Sequence, residues 1–336
     1  VDSAAQYLAL IDALEGRRVA VVGDVVADEF VYGRVARVSR EAPVLILEYD
    51  STEVVPGGAG NAANNVAALG GRVRLAAVVG RDEPGSRVVN ALHRGVDRRT
   101  LVRVPDLVTP IKTRILAGGI HSAKQQVVRI DKSVKRPAGG PARAAFERAA
   151  LQAVKNADAV LVSDYGGGLV TPALVARLRK AAAPSAGGRR TPILVDTRYR
   201  LLDYRGLTAC TPNESEVEHA LGIRINDSVR TLERAGREIL ERTAMQAVLV
   251  TRGSRGMALF EPGKETVHIP IVGSDEIADV TGAGDTVMAT VTLALAAGAT
   301  FEQAARLANV AGGIVVMKRG TATVGAAELR AAVRHG

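Results

Sequence analysis

Residues 279–298, DVTGAGDTVMATVTLALAAG, bring a glycine cluster and an aspartate to the start of an apolar stretch of helical length. Glycines leave backbone N–H groups bare where a helix begins, and the helix dipole adds to them. Thr281, Gly282, Ala283 and Gly284 therefore form an anion site. A carboxylate inside an anion site is electrostatically awkward. Asp285 makes sense there if it faces a hydroxyl beside a phosphoryl group. It can then take the hydroxyl proton while the N–H groups hold the charge developing on phosphate. An ordinary helix start with an acidic first turn accounts for G-A-G-D taken alone. The chain has no G-x-x-x-x-G-K-[ST], so no P-loop is expected.

Three other segments carry groups that suit a nucleotide. TPNESEVE (211–218) sets Asn213 and Glu216 three apart at a helix start, where they can hold the hydration shell of Mg²⁺ on phosphates. A capping box gives the same spacing. LVTRGSRGM (249–257) reads as a strand end, a turn and a new strand. It offers Thr251, Gly253 and Gly256 to phosphate or ribose, although a hairpin-like turn accounts for them equally. LANVAGGIVVMKRGT (307–321) is a helix whose small residues beside Asn309 let an adenine ring lie flat, and helix packing explains them almost as well.

VVPGGAGNAANNVAALGG (54–71) contains Gly58, Gly60 and Ala63 in the dinucleotide pattern G-x-G-x-x-A, with Asp82 at a distance suited to a ribose. That pattern should follow the first strand of a βαβ unit directly. Here the first strand ends at Asp24, and a long alternating segment and Pro56 intervene. The position argues against a dehydrogenase, so these glycines bring the backbone close to a different polar ligand.

The elements that must hold these groups follow from the hydrophobic pattern. Of the 336 residues 47% are hydrophobic, only 3% are aromatic and none is Trp, so the core must be built from Ala, Val, Leu and Ile. AVLVSD (159–164) and AVLVTRG (247–253) look like strands buried on both faces, and such runs alternate with helical stretches. This argues for a parallel sheet covered by helices. Strands are expected at 17–24, 72–80, 158–163, 192–196, 207–210 and 246–250. Helices are expected at 3–15, 58–69, 83–95, 141–156, 171–184, 226–243, 283–297 and 301–318. Segments 30–56 and 109–131 alternate apolar with polar residues instead, as strands with one wet face do. They are expected to pair into one small sheet standing over the main domain as a lid. Residues 184–192 read as a surface turn, and 1–336 as a single domain.

The bulk numbers exclude several classes. The net charge of +9 comes from scattered residues, mostly Arg, without a long basic block or aromatics for stacking, so no nucleic-acid partner is expected. A single cysteine, Cys210, rules out an internal disulfide and a Cys-based zinc cluster, and the five His are dispersed. No signal peptide or membrane span is legible, which makes the cytoplasm the expected location.

Together and in this order, these segments resemble the ribokinase-like (PfkB-type) carbohydrate kinases over nearly the whole chain. GGAGNAANNVAALGG looks like that family's N-terminal signature and DVTGAGDT like its C-terminal one. A closer resemblance is to the D-glycero-β-D-manno-heptose-7-phosphate kinase branch, carried by VVGDVVADEFVYGRVARVSREAPV, SDYGGG, TPNESE, LVTRGSRGM and DVTGAGDTV. The resemblance implies an α/β fold: a ribokinase-like three-layer α/β/α domain with a mostly parallel central sheet and a small β-sheet lid. It implies transfer of the γ-phosphate of ATP to the anomeric hydroxyl of a sugar already phosphorylated at position 7, within ADP-heptose synthesis. It implies Mg²⁺, met by Glu216 through water, admits a monovalent cation besides, and suggests homodimers paired through the lids.

By the same resemblance, Gly57 and Gly58 lie against the sugar, and Asn61, Asp24 and Asp28 reach its hydroxyls. Asp164 stands at a strand's C-terminal end, where ligands bind in such sheets. Lys112, Arg114 and Arg129 are candidates for the sugar's own phosphate, with plain surface charge as the alternative. Two positions depart from the branch. Gly167 stands where it commonly has Lys, and DTR (196–198) where it has D-P-K, so that Arg198 replaces one cation. In several members a cytidylyltransferase-like domain follows and adds AMP. No H-x-G-H occurs in the sequence, and that second activity is not expected of it.

Overall fold

Short, Val-rich runs become strands here because β-branched side chains fit a pleated, buried surface. In chain order they are β1 (Arg18–Gly23), β2 (Val25–Val38), β3 (Leu45–Gly58), β4 (Arg72–Gly80), β5 (Val96–Asp97), β6 (Leu101–Val104) and β7 (Ile111–Gly118). There follow β8 (Gln125–Lys132), β9 (Ala159–Asp164), β10 (Ile193–Thr197), β11 (Ala209–Cys210), β12 (Ala247–Thr251), β13 (Met257–Phe260) and β14 (Val267–Ile269). The computed structural model describes residues 3–118, 124–132, 140–182, 190–272 and 279–335.

Ten strands form the main sheet, in the order β14-β13-β12-β11-β10-β9-β1-β4-β5 with β6 beside β4. Pairing is parallel from β12 to the β5 edge, and antiparallel only for β12–β13 and β13–β14. Helices cover both faces. Leu161 and Leu194 point into one core, against the helices Ala59–Ala68, Ala283–Ala296 and Phe301–Val316. Val160, Val162 and Val195 point into the other, against Pro141–Ala153, Pro172–Ala181 and Val229–Thr243. Residues alternating along one strand thus serve two apolar layers, which is why these strands read as unbroken hydrophobic runs. The helices start where the sequence supplies caps: Thr171, Ser228 and Thr300 each accept a backbone N–H from the first turn. No helix among the described residues is long and apolar enough to cross a membrane.

The two alternating segments do join into one separate sheet, of order β3-β2-β7-β8. Its outer pairs are antiparallel, and the central β2–β7 pair, which unites the segments, is parallel. The small sheet begins earlier than the alternation suggests, at Val25 rather than residue 30. Val25 and Ala27 belong to the main core, so the first turns of β2 are buried on both sides and carry no alternation. Only Asp24 separates β1 from β2, and the helix Ala59–Ala68 follows β3 without a loop. The expected turn at 184–192 falls largely outside the described residues, as does the link between β7 and β8.

Candidate active site

The parallel strands all deliver their C-terminal ends to one edge of the sheet. There β9 ends at Asp164, β10 runs through Asp196 to Thr197 and β12 ends at Thr251, while Asn213 and Gly282 cap helices that start beside them. Between this edge and the small sheet lies a cavity of about 310 Å³. Asp28, Gly58, Lys112, Arg114, Arg129, Asp164, Arg198, Asn213, Glu216, Thr251, Thr281, Gly282, Gly284 and Asp285 all line it. A smaller, mainly apolar cavity of about 140 Å³ adjoins it through Thr251, Val280 and Gly284. Gly253, Gly256, Ala283 and Asn309 line this second space, with Gly312 and Gly313.

Asp285 is 4% exposed. Asn61 Nδ2 donates to its Oδ2 at 2.9 Å and the Tyr165 hydroxyl to its Oδ1 at 3.2 Å. Burial pushes its pKa up to about 7, and the charge of Asp28 adds to the rise; Asn61, Tyr165 and Lys112 pull the other way. Asp285 is thus a carboxylate poised to gain or lose a proton near neutral pH, the condition a general base needs. The glycine before it leaves room: a Cβ at Gly284 would meet nothing within 4 Å, and neither would one at Gly253. These are open cradles of the kind an approaching phosphate fills.

The glycines of residues 57–58 approach the protein's own carboxylates and carbonyls. A Cβ at Gly57 would come within 2.2 Å of Asp28 Oδ2, and one at Gly58 within 2.6 Å of the Asp24 carbonyl. Gly58 also takes φ +58 at the junction of strand and helix, a conformation that favours glycine. Gly57, Asn61 and Asp24 are absent from the cavity lining. Asn61 instead orients Asp285 and accepts from Asn65 Nδ2 at 3.1 Å. Asp24 Oδ2 accepts the backbone N–H groups of Tyr165 and Gly167 at 3.1 and 3.0 Å, which pins that loop over the end of β1. A side chain at Gly167 would meet the Asp24 carboxylate at 2.7 Å, so the loop as folded here accommodates glycine. Asp164 is satisfied by Tyr204, Thr197 and the Gly166 N–H. Asp82 caps the helix Glu83–Ala91 and binds Thr109; it serves no ribose.

The small sheet contributes the cations. Arg114 pairs with Asp28 at 2.7 Å, both nearly buried, and Arg129 pairs with Asp131 at 2.9 Å. Lys112 and Arg198 lie over the Tyr165 ring, at 4.7 and 4.9 Å from its centroid. Burial and the neighbouring Arg198 lower the Lys112 pKa. Across the cavity, Asn213 and Glu216 form a reciprocal capping box, each accepting the other's backbone N–H at 2.9 Å. Glu216 still faces the cavity, and burial raises its pKa, as it does that of Asp196 nearby. Tyr165, Asp196 and Thr211 also line the site; each lies in a block noted in the sequence (SDYGGG, DTR and TPNESE) but is not singled out there, and each stands at or just after a strand's C-terminal end. Oxygen donors without Cys or His suit a hard cation such as Mg²⁺. No cluster of three or more His, Cys, Asp or Glu able to hold an ion exists among the described residues.

Comparison with known proteins bears on this geometry. Residues 17–327 match the family model described as pfkB family carbohydrate kinase. The Bifunctional protein HldE of Trichlorobacter lovleyi is 42% identical over 315 residues, covering 93% of this chain and 62% of that protein. The protein of the same name from Caulobacter vibrioides is 41% identical, covering 95% of this chain and 64% of its own length. The chain thus spans less than two thirds of these relatives. Among solved structures, Arabidopsis thaliana ribokinase complexed with ribose and ATP superposes with a TM-score of 0.73 at 20% identity, covering 95% of this chain and 99% of that one. Phosphofructokinase-2 from Escherichia coli with substrates and products gives 0.72 at 17%, with the same coverage. These two likenesses concern the fold.

Proposed function

Since the chain belongs to the pfkB family of carbohydrate kinases, we propose that its acceptor is a sugar phosphate, D-glycero-β-D-manno-heptose 7-phosphate, phosphorylated by ATP at the anomeric hydroxyl to the 1,7-bisphosphate. The observation that carries this reading is that one cavity has two places for anions. At one end are the helix start and the open cradle at Gly284. At the other are Lys112, Arg129 and Arg198. A product bearing phosphate at both ends needs both. The blocks that resemble the heptose-7-phosphate kinase branch, and the relatives named HldE, support the same acceptor.

In this reading the apolar slot beside Asn309, Gly312 and Gly313 takes the adenine, and Thr251, Gly253 and Gly256 border the ribose and phosphates. Asn213 and Glu216 would hold the hydration shell of Mg²⁺, which when bound neutralises charge on the transferring phosphates. Asp285 takes the proton of the acceptor hydroxyl as the oxygen bonds to the γ-phosphorus and the bond to ADP breaks. Backbone N–H groups at Gly282, Ala283 and Gly284 face the charge that develops. Asp28 hydrogen-bonds the sugar, and the small sheet acts as a lid that excludes water from the transfer. Lid strands of two copies pair into a homodimer.

A second reading, a different sugar or sugar phosphate, is favoured by Gly167, which removes a cation that the branch commonly has. ADP release from ATP and Mg²⁺ with a panel of acceptors decides between them. Turnover with heptose 7-phosphate, absent with sedoheptulose 7-phosphate and unphosphorylated sugars, is expected. Faster turnover with an unphosphorylated sugar would overturn the sugar-phosphate reading and leave the transfer site standing.

A further inference from the structure

We infer that Tyr165 is a positioning residue that ties the small sheet to the base: its hydroxyl holds Asp285, and its ring carries the small sheet's Lys112 on the same side chain. This rests on the reading of Asp285 as base. Tyr165 follows β9 directly, and its N–H is fixed to Asp24 Oδ2 at 3.1 Å. Gly58 packs on the ring, since a Cβ there would lie 3.3 Å from it. The hydroxyl donates to Asp285 Oδ1 at 3.2 Å while Asn61 occupies Oδ2. Each carboxylate oxygen therefore has a donor, and the plane of the carboxylate is set. Lys112, from β7, and Arg198, just past β10, both lie over the ring. Among the described residues, neither cation has a carboxylate partner in an ion pair. Both rest on the aromatic ring, with Arg198 also hydrogen-bonded to Tyr199. One side chain therefore touches the base, a cation of the main sheet and a cation of the small sheet.

The groups facing Asp285 are Asn61, Tyr165, Asp28 and Lys112, with Asp196 and Arg198 further along the same cavity. Among them, Tyr165 is the hydroxyl donor to the base. A hydroxyl bonded to a carboxylate favours its charged form. Tyr165→Phe keeps the ring and both cations and removes only that bond. The acid limb of kcat/KM against pH is expected to move up by about half to one unit, the worth of one such hydrogen bond. The acceptor KM at high pH should stay as in the wild type. Tyr165→Leu should move the same limb and also raise the acceptor KM, with the ATP KM unchanged. Replacing Tyr165 alone by 3-fluorotyrosine, a stronger donor that leaves the fold intact, should move the limb the opposite way. A limb unmoved by both Phe and fluorotyrosine would overturn the inference. Failure of the underlying reading looks different: Asp285→Asn would retain near-normal turnover, whatever happens at Tyr165.

Discussion

As the proposed base, Asp285 would have to stay charged for catalysis while it sits buried at 4% exposure, and these requirements conflict. Its pKa of about 7 in the folded protein stands above the usual carboxylate value, so the native state holds a proton that the unfolded chain releases. Stability from this group is therefore fully present below about pH 4 and is lost as pH rises through about 7. Catalysis runs the other way, with kcat/KM climbing through neutrality to a plateau. Asp285→Asn should lower turnover by about 10²–10⁴-fold. Thermal melts of this variant should also lack the loss of stability that this group gives the wild type between about pH 4 and 7. At Gly284 the open space predicts a different phenotype. Gly284→Ala should fold normally, because its backbone is not left-handed, yet fill the cradle and cut kcat/KM for ATP by about 10²-fold in steady-state assays. Asp285 and its glycines are legible in the sequence because they lie within five consecutive residues. The hold on Asp285 is not legible. Asn61 and Tyr165 lie 224 and 120 residues away in sequence, and nothing local marks an Asn or a Tyr as a partner of a distant carboxylate.

At the scale of elements, Asn213 and Glu216 show why spacing alone leaves a choice. The capping box is formed, and Glu216 lines the cavity as well, because a helix that starts at a strand's end presents its capped first turn to the same edge as the cavity. One substitution separates them. Glu216→Gln can still accept the Asn213 N–H, so the melting temperature should hold. Its lost charge should weaken the apparent Mg²⁺ affinity by about 10–100-fold, so that more Mg²⁺ is needed for half-maximal turnover at fixed ATP. Strands β1, β4, β9, β10, β11 and β12 were legible to within a residue or two, since burial on both faces leaves continuous apolar runs, whereas the short strands β5, β6 and β14 were not. The same rule hides the start of β2, where Val25 and Ala27 are buried in the main core and the alternation typical of the small sheet has not yet begun.

At the scale of the molecule, the small sheet leaves many apolar side chains in water, among them Val38, Val44, Leu45, Tyr49, Val128 and Ile130. A homodimer through this sheet would cover them. Val128→Lys combined with Ile130→Lys should halve the mass seen by light scattering while the melting temperature changes little. An unchanged mass would place any association elsewhere. Pairing of the two alternating segments across some fifty intervening residues was legible from pattern alone, because each had one face with nowhere else to go.

Two of the chain's passages between the sheets have no slack. Asp24 alone links β1 to β2, Val25 pairs with Gly58 across the sheet, and the Ala59 N–H donates back to the Asp24 carbonyl at 3.0 Å. The two crossings sit side by side and act as a fulcrum placed next to the load. Strands advance about 3.3 Å per residue, so Val38 lies roughly three times as far from that pivot as Asp28 does. If the small sheet swings as the proposed lid, Asp28 would move less than about a third as far as the tip, and Gly58 less still. On that reading the floor of the site would stay largely assembled while its roof is away, and closure would have mainly the distant end of the lever to bring home.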